Sequence, residues 1–168
     1  MDYSTAIHEA GHAVVGRVLR LPCGGATIEA QGNAGGGHAK IGDTWRIVDA
    51  GWGDLENPGT RPHGTTASGL RASLLYFMAG WAAERMIIGE CQDGDRDDRH
   101  QIMLMLGQLD IPGRREPGDG AWDHYESRLR LRSCGLVRRH HLPIERVAAG
   151  LMSRRTLSAQ EIDAFVSG

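Results

Sequence analysis

The sequence predicts a mainly α-helical domain with one small β-hairpin, an α+β fold. Three observations lead there. Apolar residues recur at helical spacing in several long segments. Only Ala26 to Ala30 and His38 to Ile41 read as strands, and the turn-rich stretch Gly32 to Gly37 lies between them. The 168 residues suit one domain spanning 1–168, with 40% hydrophobic content for a single core. Aromatic residues make up 5%, so that core rests on Leu, Ile, Val, Met and Ala.

Thr5 to Leu19 reads as the first helix. Ser4 is placed to cap it, and Ala6, Ala10, Ala13, Val14 and Val18 form its apolar stripe. Pro22 and Gly24-Gly25 end it. The two strand candidates follow. Gly42 to Thr65 is rich in glycine and proline, carries Trp45 and Trp52, and reads as a long loop. Thr66 to Ile88 is the strongest helical signal, with Leu70, Leu74, Phe77, Met78, Trp81 and Ala82 on one periodic face. Gly80, Ala82 and Ala83 are small enough to admit a neighbouring helix. An acidic turn, Cys91 to Arg96, leads into a helix over Asp97 to Leu109 that buries Ile102, Met105, Leu106 and Leu109. After a second loop, Ile111 to Gly120, helices are expected over Trp122 to Arg132 and Ile144 to Ser153. Ser158 and Glu161 form a capping box that opens a last helix ending at Val166.

Composition narrows the function. The net charge of −2 gives no global field for nucleic acid, although the cations comprise 18 arginines and one lysine, Lys40. The basic run Arg128 to His141 reads as a solvated helix face. Cys23, Cys91 and Cys134 form no CxxC pair and are odd in number, which suits free thiols in a reducing, cytoplasmic setting. No apolar signal segment opens the chain. The longest apolar run, Leu70 to Ile88, is interrupted by Arg71, Glu84 and Arg85, so no membrane span is expected.

The chemistry concentrates in "HEAGH", His8 to His12. Residues four apart on a helix are separated by about 40° around the axis and one turn along it. His8 and His12 can therefore reach one metal ion. Glu9 lies beside them, able to act on water without binding the metal. Zinc accepts neutral imidazole, and three protein ligands with one open position make a catalytic site. Zinc lowers the pKa of water to about 7, and Glu9 would serve as the general base. Gly11 inside the helix implies close packing or function. A metzincin would place Gly at position 15 and His at position 18. The chain has Val15 and Val18, which excludes that class. Candidates for the third ligand are Glu29, Glu84, Glu90, Asp93, Asp95, Asp97 and Asp98. The alternating Asp93, Asp95 and Asp97 invite a calcium reading, but Asp98 and Leu104 depart from the EF-hand pattern.

Several segments, in order, resemble the peptidase domain of the FtsH family, the membrane-anchored AAA+ zinc proteases. "TAIHEAGHAVVG" resembles its metal-binding helix and "GATIEAQGNAGGGHAKI" its hairpin. "LLYFMAGWAAERMIIGE" is similar to the central helix, where the family reads GGRAAEE. "DGDRDDRHQIMLML" stands at the family's GASNDL and following helix. "LMSRRTLSAQEI" is similar to LLEKETLxxEEI. The resemblance covers roughly half the chain, and agreement of separate signals is what gives it weight. It implies a zincin-like fold of FtsH type and one zinc per chain held by His8, His12 and an aspartate at Asp98, or Asp97 after a one-residue slip. It also implies that Glu84 orients a histidine or substitutes as a ligand.

These 168 residues hold neither a GxxxxGK[ST] loop nor an apolar anchor, so neither an ATPase nor a membrane anchor is expected in them, and the loops 42–65 and 111–120 match nothing in the family. The expectation is a metalloendopeptidase acting on short or unfolded polypeptides. It could draw on an ATPase or unfoldase in trans and could assemble as a homo-oligomer. His38, Ala39, Lys40 and Ile41 form an edge strand that could pair with an extended substrate, or simply pack the hairpin. The rival expectation is a zinc-binding module that has lost proteolysis, or an adaptor that docks on an ATPase ring. Trp45, Trp52 and Trp122 are expected to pack under loops rather than line a cleft.

Overall fold

The first helix is buried on nearly every side, its polar Ser4, His8, Glu9 and His12 included, and lies in the middle of the protein. The computed structural model describes residues 3–29, 38–41, 66–91, 96–109 and 120–168. Helix α1 (Tyr3–Val18) is followed by strands β1 (Cys23–Thr27) and β2 (His38–Ile41). Helices α2 (Thr66–Phe77) and α3 (Ala79–Ala83) come next and run into a π-helical turn (Glu84–Ile88). Then come α4 (Arg96–Gln108), α5 (Gly120–Arg139), α6 (His141–Arg154), strand β3 (Thr156–Ser158) and α7 (Ala159–Ser167). The described residues thus form the mainly α, α+β fold that the sequence predicts.

Two apolar cores meet near the site. One gathers Ile7, Val14 and Val15 of α1, Ala82 and Ala83 of α3, and Ile144, Val147 and Leu151 of α6. The other joins Leu74 and Met78 to Ile102, Met105, Leu106 and Leu109, with Trp122 and Leu129 of α5. All four expected apolar positions around α4 are therefore buried. Trp122 packs in the second core, 2% exposed. Trp45, Trp52 and the loop 42–65 lie outside the described residues, as do 30–37 and 111–119.

Several boundaries differ from expectation. Strand β1 starts at Cys23, three residues before the expected Ala26, and runs through the Gly24-Gly25 pair. The register slips between Cys23 and Gly25, and Gly25 has φ +122°. A Cβ there would lie 2.5 Å from the Leu157 carbonyl oxygen. Glycine marks a β-bulge and a close backbone approach here, not a break. The approaching backbone is β3, a strand too short to read from sequence. It gives an antiparallel sheet of order β2-β1-β3. Helix α5 continues to Arg139, beyond the expected Arg132, because Leu129, Ser133 and Val137 keep one face buried. Ser4 lies inside α1 rather than ahead of it.

Helix α1 approaches α3 very closely. A Cβ on Gly11 would lie 2.7 Å from both the Ala79 carbonyl oxygen and the Ala83 Cβ. That contact brings the His8–His12 face against the start of the π-helical turn.

Candidate metal centre

His8, Glu9 and His12 are all buried on α1. Each histidine is oriented by its Nδ1. His12 Nδ1 lies 2.7 Å from the Tyr76 carbonyl oxygen, and His8 Nδ1 lies 2.5 Å from Glu84 Oε1. Carbonyl and carboxylate oxygens accept, so both Nδ1 atoms donate. Each neutral ring then presents an Nε2 lone pair.

Those lone pairs converge. His8 Nε2 and His12 Nε2 are 3.0 Å apart. Asp98 Oδ2 lies 3.0 Å from the first and 2.9 Å from the second. Asp98 stands in the first turn of α4, where a carboxylate suits the positive end of the helix dipole. Two imidazole lone pairs and a carboxylate oxygen around one point suit a cation between them, a metal ion or, in its absence, a proton on Nε2. Ligand atoms sharing a tetrahedral zinc at about 2.0–2.1 Å lie about 3.3 Å from one another, close to what is seen. The donor set, two imidazoles and one carboxylate, is also one that zinc accepts. Among the described residues, His8, His12 and Asp98 are the group able to hold a metal ion.

The floor of the centre is Gly80 on α3. A Cβ there would lie 2.5 Å from Nε2 of both His8 and His12. The Tyr76 ring packs on His12 with centroids 4.9 Å apart, and its hydroxyl donates to the Ala39 carbonyl oxygen at 2.9 Å.

Electrostatics follow from this crowding. Burial opposes a charge on His8, but hydrogen bonds to Asp98 and Glu84 outweigh it and lift its pKa to about 10. Burial likewise opposes the Asp98 charge, yet His12 and His8 hold that carboxyl well below the usual carboxylate range. Burial raises Glu9, opposed by His12 and His8 and by a hydrogen bond from the Ala39 backbone.

The candidates from sequence separate cleanly. The structure brings together His8, His12, Asp98, Glu9 and Glu84. Asp97 is exposed, as are Glu29 and Glu90. Asp93 and Asp95 lie outside the described residues. Glu84 meets His8 through Nδ1, on the side of the ring away from the shared point. His38 to Ile41 form β2, the outer strand of the described sheet, with Ala39 turned towards Tyr76 and Glu9. Sequence reasoning missed Ser4, Tyr76 and Gly80 as parts of the site. Ser4 was findable, since it precedes His8 by one helical turn on the same face. Tyr76 acts on His12 through a backbone carbonyl, which no residue type announces.

No protein-family model matches the chain. A stretch of 99 residues is 36% identical to an ATP-dependent zinc metalloprotease FtsH of Mycoplasma mobile. The match covers 56% of this chain and 12% of that protein. This is a suggestive link to FtsH, and it agrees with a site able to bind metal. No described helix is long and apolar enough to cross a membrane.

Proposed function

We propose that this chain is a zinc-dependent metalloendopeptidase that hydrolyses peptide bonds in short or unfolded polypeptides. The supporting observation is the convergence of His8 Nε2, His12 Nε2 and Asp98 Oδ2 beside the buried Glu9. His8, His12 and Asp98 would hold zinc. Zinc in such a set supplies Lewis acidity, polarising a peptide carbonyl and making water acidic enough to attack near neutral pH. Glu9 takes the proton from the attacking water and passes it to the leaving amine. Its burial suits this role, because a raised pKa moves a carboxylate towards the working pH. Glu84 and the Tyr76 carbonyl keep both rings in the tautomer that offers Nε2. A strand laid along β2 would pass Glu9, and the substrate is expected in extended form for that reason.

Metal analysis and peptide hydrolysis test this together. The purified chain should carry about one zinc. His12→Ala and Asp98→Ala should lose it, and Asp97→Ala should keep it. Glu9→Gln should keep zinc and lose hydrolysis of an unfolded protein substrate by at least about a hundredfold. A zinc-loaded parent that cleaves nothing, unchanged by Glu9→Gln, would instead indicate a binding module.

A further inference from the structure

The geometry points to Ser4 as a positioning residue of the metal centre, acting through Glu84 on His8. This rests on the metal-binding reading above but not on proteolysis. Ser4, His8 and His12 occupy successive turns of one face of α1. Glu84 approaches that face from the π-helical turn and uses a different carboxylate oxygen for each partner. Ser4 Oγ donates to Oε2 at 3.0 Å, and His8 Nδ1 donates to Oε1 at 2.5 Å. All three residues are buried, Ser4 6%, Glu84 3% and His8 8% exposed.

Two features make the serine more than packing. The last torsion of a glutamate side chain is broad, so its own preference does not fix the carboxylate plane. A hydrogen bond to each oxygen does. The backbone of Glu84 is held as well, because its carbonyl accepts from Gly89 N–H at 3.1 Å across the wide turn. With Ser4 in place, Oε1 has one orientation and His8 Nε2 one direction. Without the hydroxyl, Oε2 loses its donor from α1, and the loss of a buried hydrogen bond to a charged group is costly. The carboxylate plane is then less tightly fixed about its last torsion, and the hold on His8 slackens. Loss of groups that orient metal ligands weakens metal affinity about tenfold to a hundredfold.

The test is a zinc affinity series, read by competition with a chelator. Ser4→Ala should weaken zinc binding about tenfold and alter the visible spectrum of the cobalt-substituted protein. Ser4→Thr, which keeps the hydroxyl, should restore both. Ser4→Cys, close in shape with a weaker donor, should fall between and serves if the alanine variant does not fold. The buried hydrogen bond lost in Ser4→Ala also lowers the metal-free unfolding midpoint, so the cobalt spectrum at full metal loading is the readout that separates positioning from stability. In a Glu84→Gln background Ser4→Ala should add less than about twofold, the signature of coupled neighbours. Parent-like affinity and spectrum in Ser4→Ala overturn the inference, and so does a full tenfold loss that persists in Glu84→Gln. A parent that binds no zinc overturns it together with the metal reading. A parent that binds zinc but cleaves no peptide sinks only the peptidase reading, and the affinity series still decides Ser4.

Discussion

His8 and His12 offer Nε2 to a common point because each Nδ1 already has its own acceptor, and that division of labour depends on a glycine. Gly80 leaves empty the volume beside both Nε2 atoms, where a Cβ would stand 2.5 Å from each. Such a contact cannot be relieved by a small adjustment, since Glu84 and the Tyr76 carbonyl hold both rings from behind. Gly80→Ala is therefore expected to abolish zinc uptake while leaving most helical content, checked by metal analysis beside far-ultraviolet circular dichroism. Normal zinc content in that variant would mean the rings have slack. At this scale the sequence is legible where chemistry resides in residue type. Two imidazoles and a glutamate at helical spacing announce themselves, and a glycine within a helix hints at a close approach. The choice of Asp98 over Asp97 followed from a resemblance rather than from spacing. Its physical basis is visible only in three dimensions, with Asp97 exposed and Asp98 turned to both histidines.

Elements were legible in proportion to how local their causes are. The box predicted from Ser158 and Glu161 is present, opening α7 at Ala159. Its determinants lie within four residues. The start of β1 departs from expectation because its cause is distant: Gly25 is shaped by β3, more than 130 positions downstream in the chain. The expected single helix from Thr66 to Ile88 follows one path but changes winding at Met78 and again at Glu84. Periodicity cannot show the second change, whose effect is to aim Glu84 at α1. The capping box itself makes a prediction. The Ser158 backbone N–H and hydroxyl hold the Glu161 carboxyl below its ordinary value. A lowered folded-state pKa gives a contribution that is present above the unfolded value and lost as pH falls through the lowered one. The thermal midpoint advantage of the parent over Glu161→Gln should thus be present at neutral pH and fade below about pH 4. Ser158→Ala should destabilise the chain by about 1 kcal/mol at neutral pH in urea unfolding.

Across the whole molecule, the centre joins segments far apart in sequence. His8 meets Glu84 and Asp98 across 76 and 90 positions. A ligand that binds only where these segments are assembled must stabilise the assembly, by about 2.7 kcal/mol at a hundredfold excess over its dissociation constant. Zinc should therefore raise the unfolding temperature, and a chelator should lower it. The pH dependence separates this from a general salt effect. In the metal-free protein His8 has a pKa raised to about 10. A raised folded-state pKa gives stability that is complete below the ordinary histidine value, about 6.5, and is lost as pH climbs through the raised one. Asp98, held low, contributes above the ordinary aspartate value and loses that contribution on acidification. The metal-free fold should accordingly weaken between about pH 6.5 and pH 10. Zinc binding moves the opposite way over the same interval, since ligands must shed protons before they bind metal. The gap in unfolding temperature between zinc-loaded and chelated protein should widen steadily from pH 6 to pH 9, measured in one buffer series at fixed free zinc. A gap that stays constant, or narrows, would mean that the proton on His8 and the metal do not compete for the same atoms.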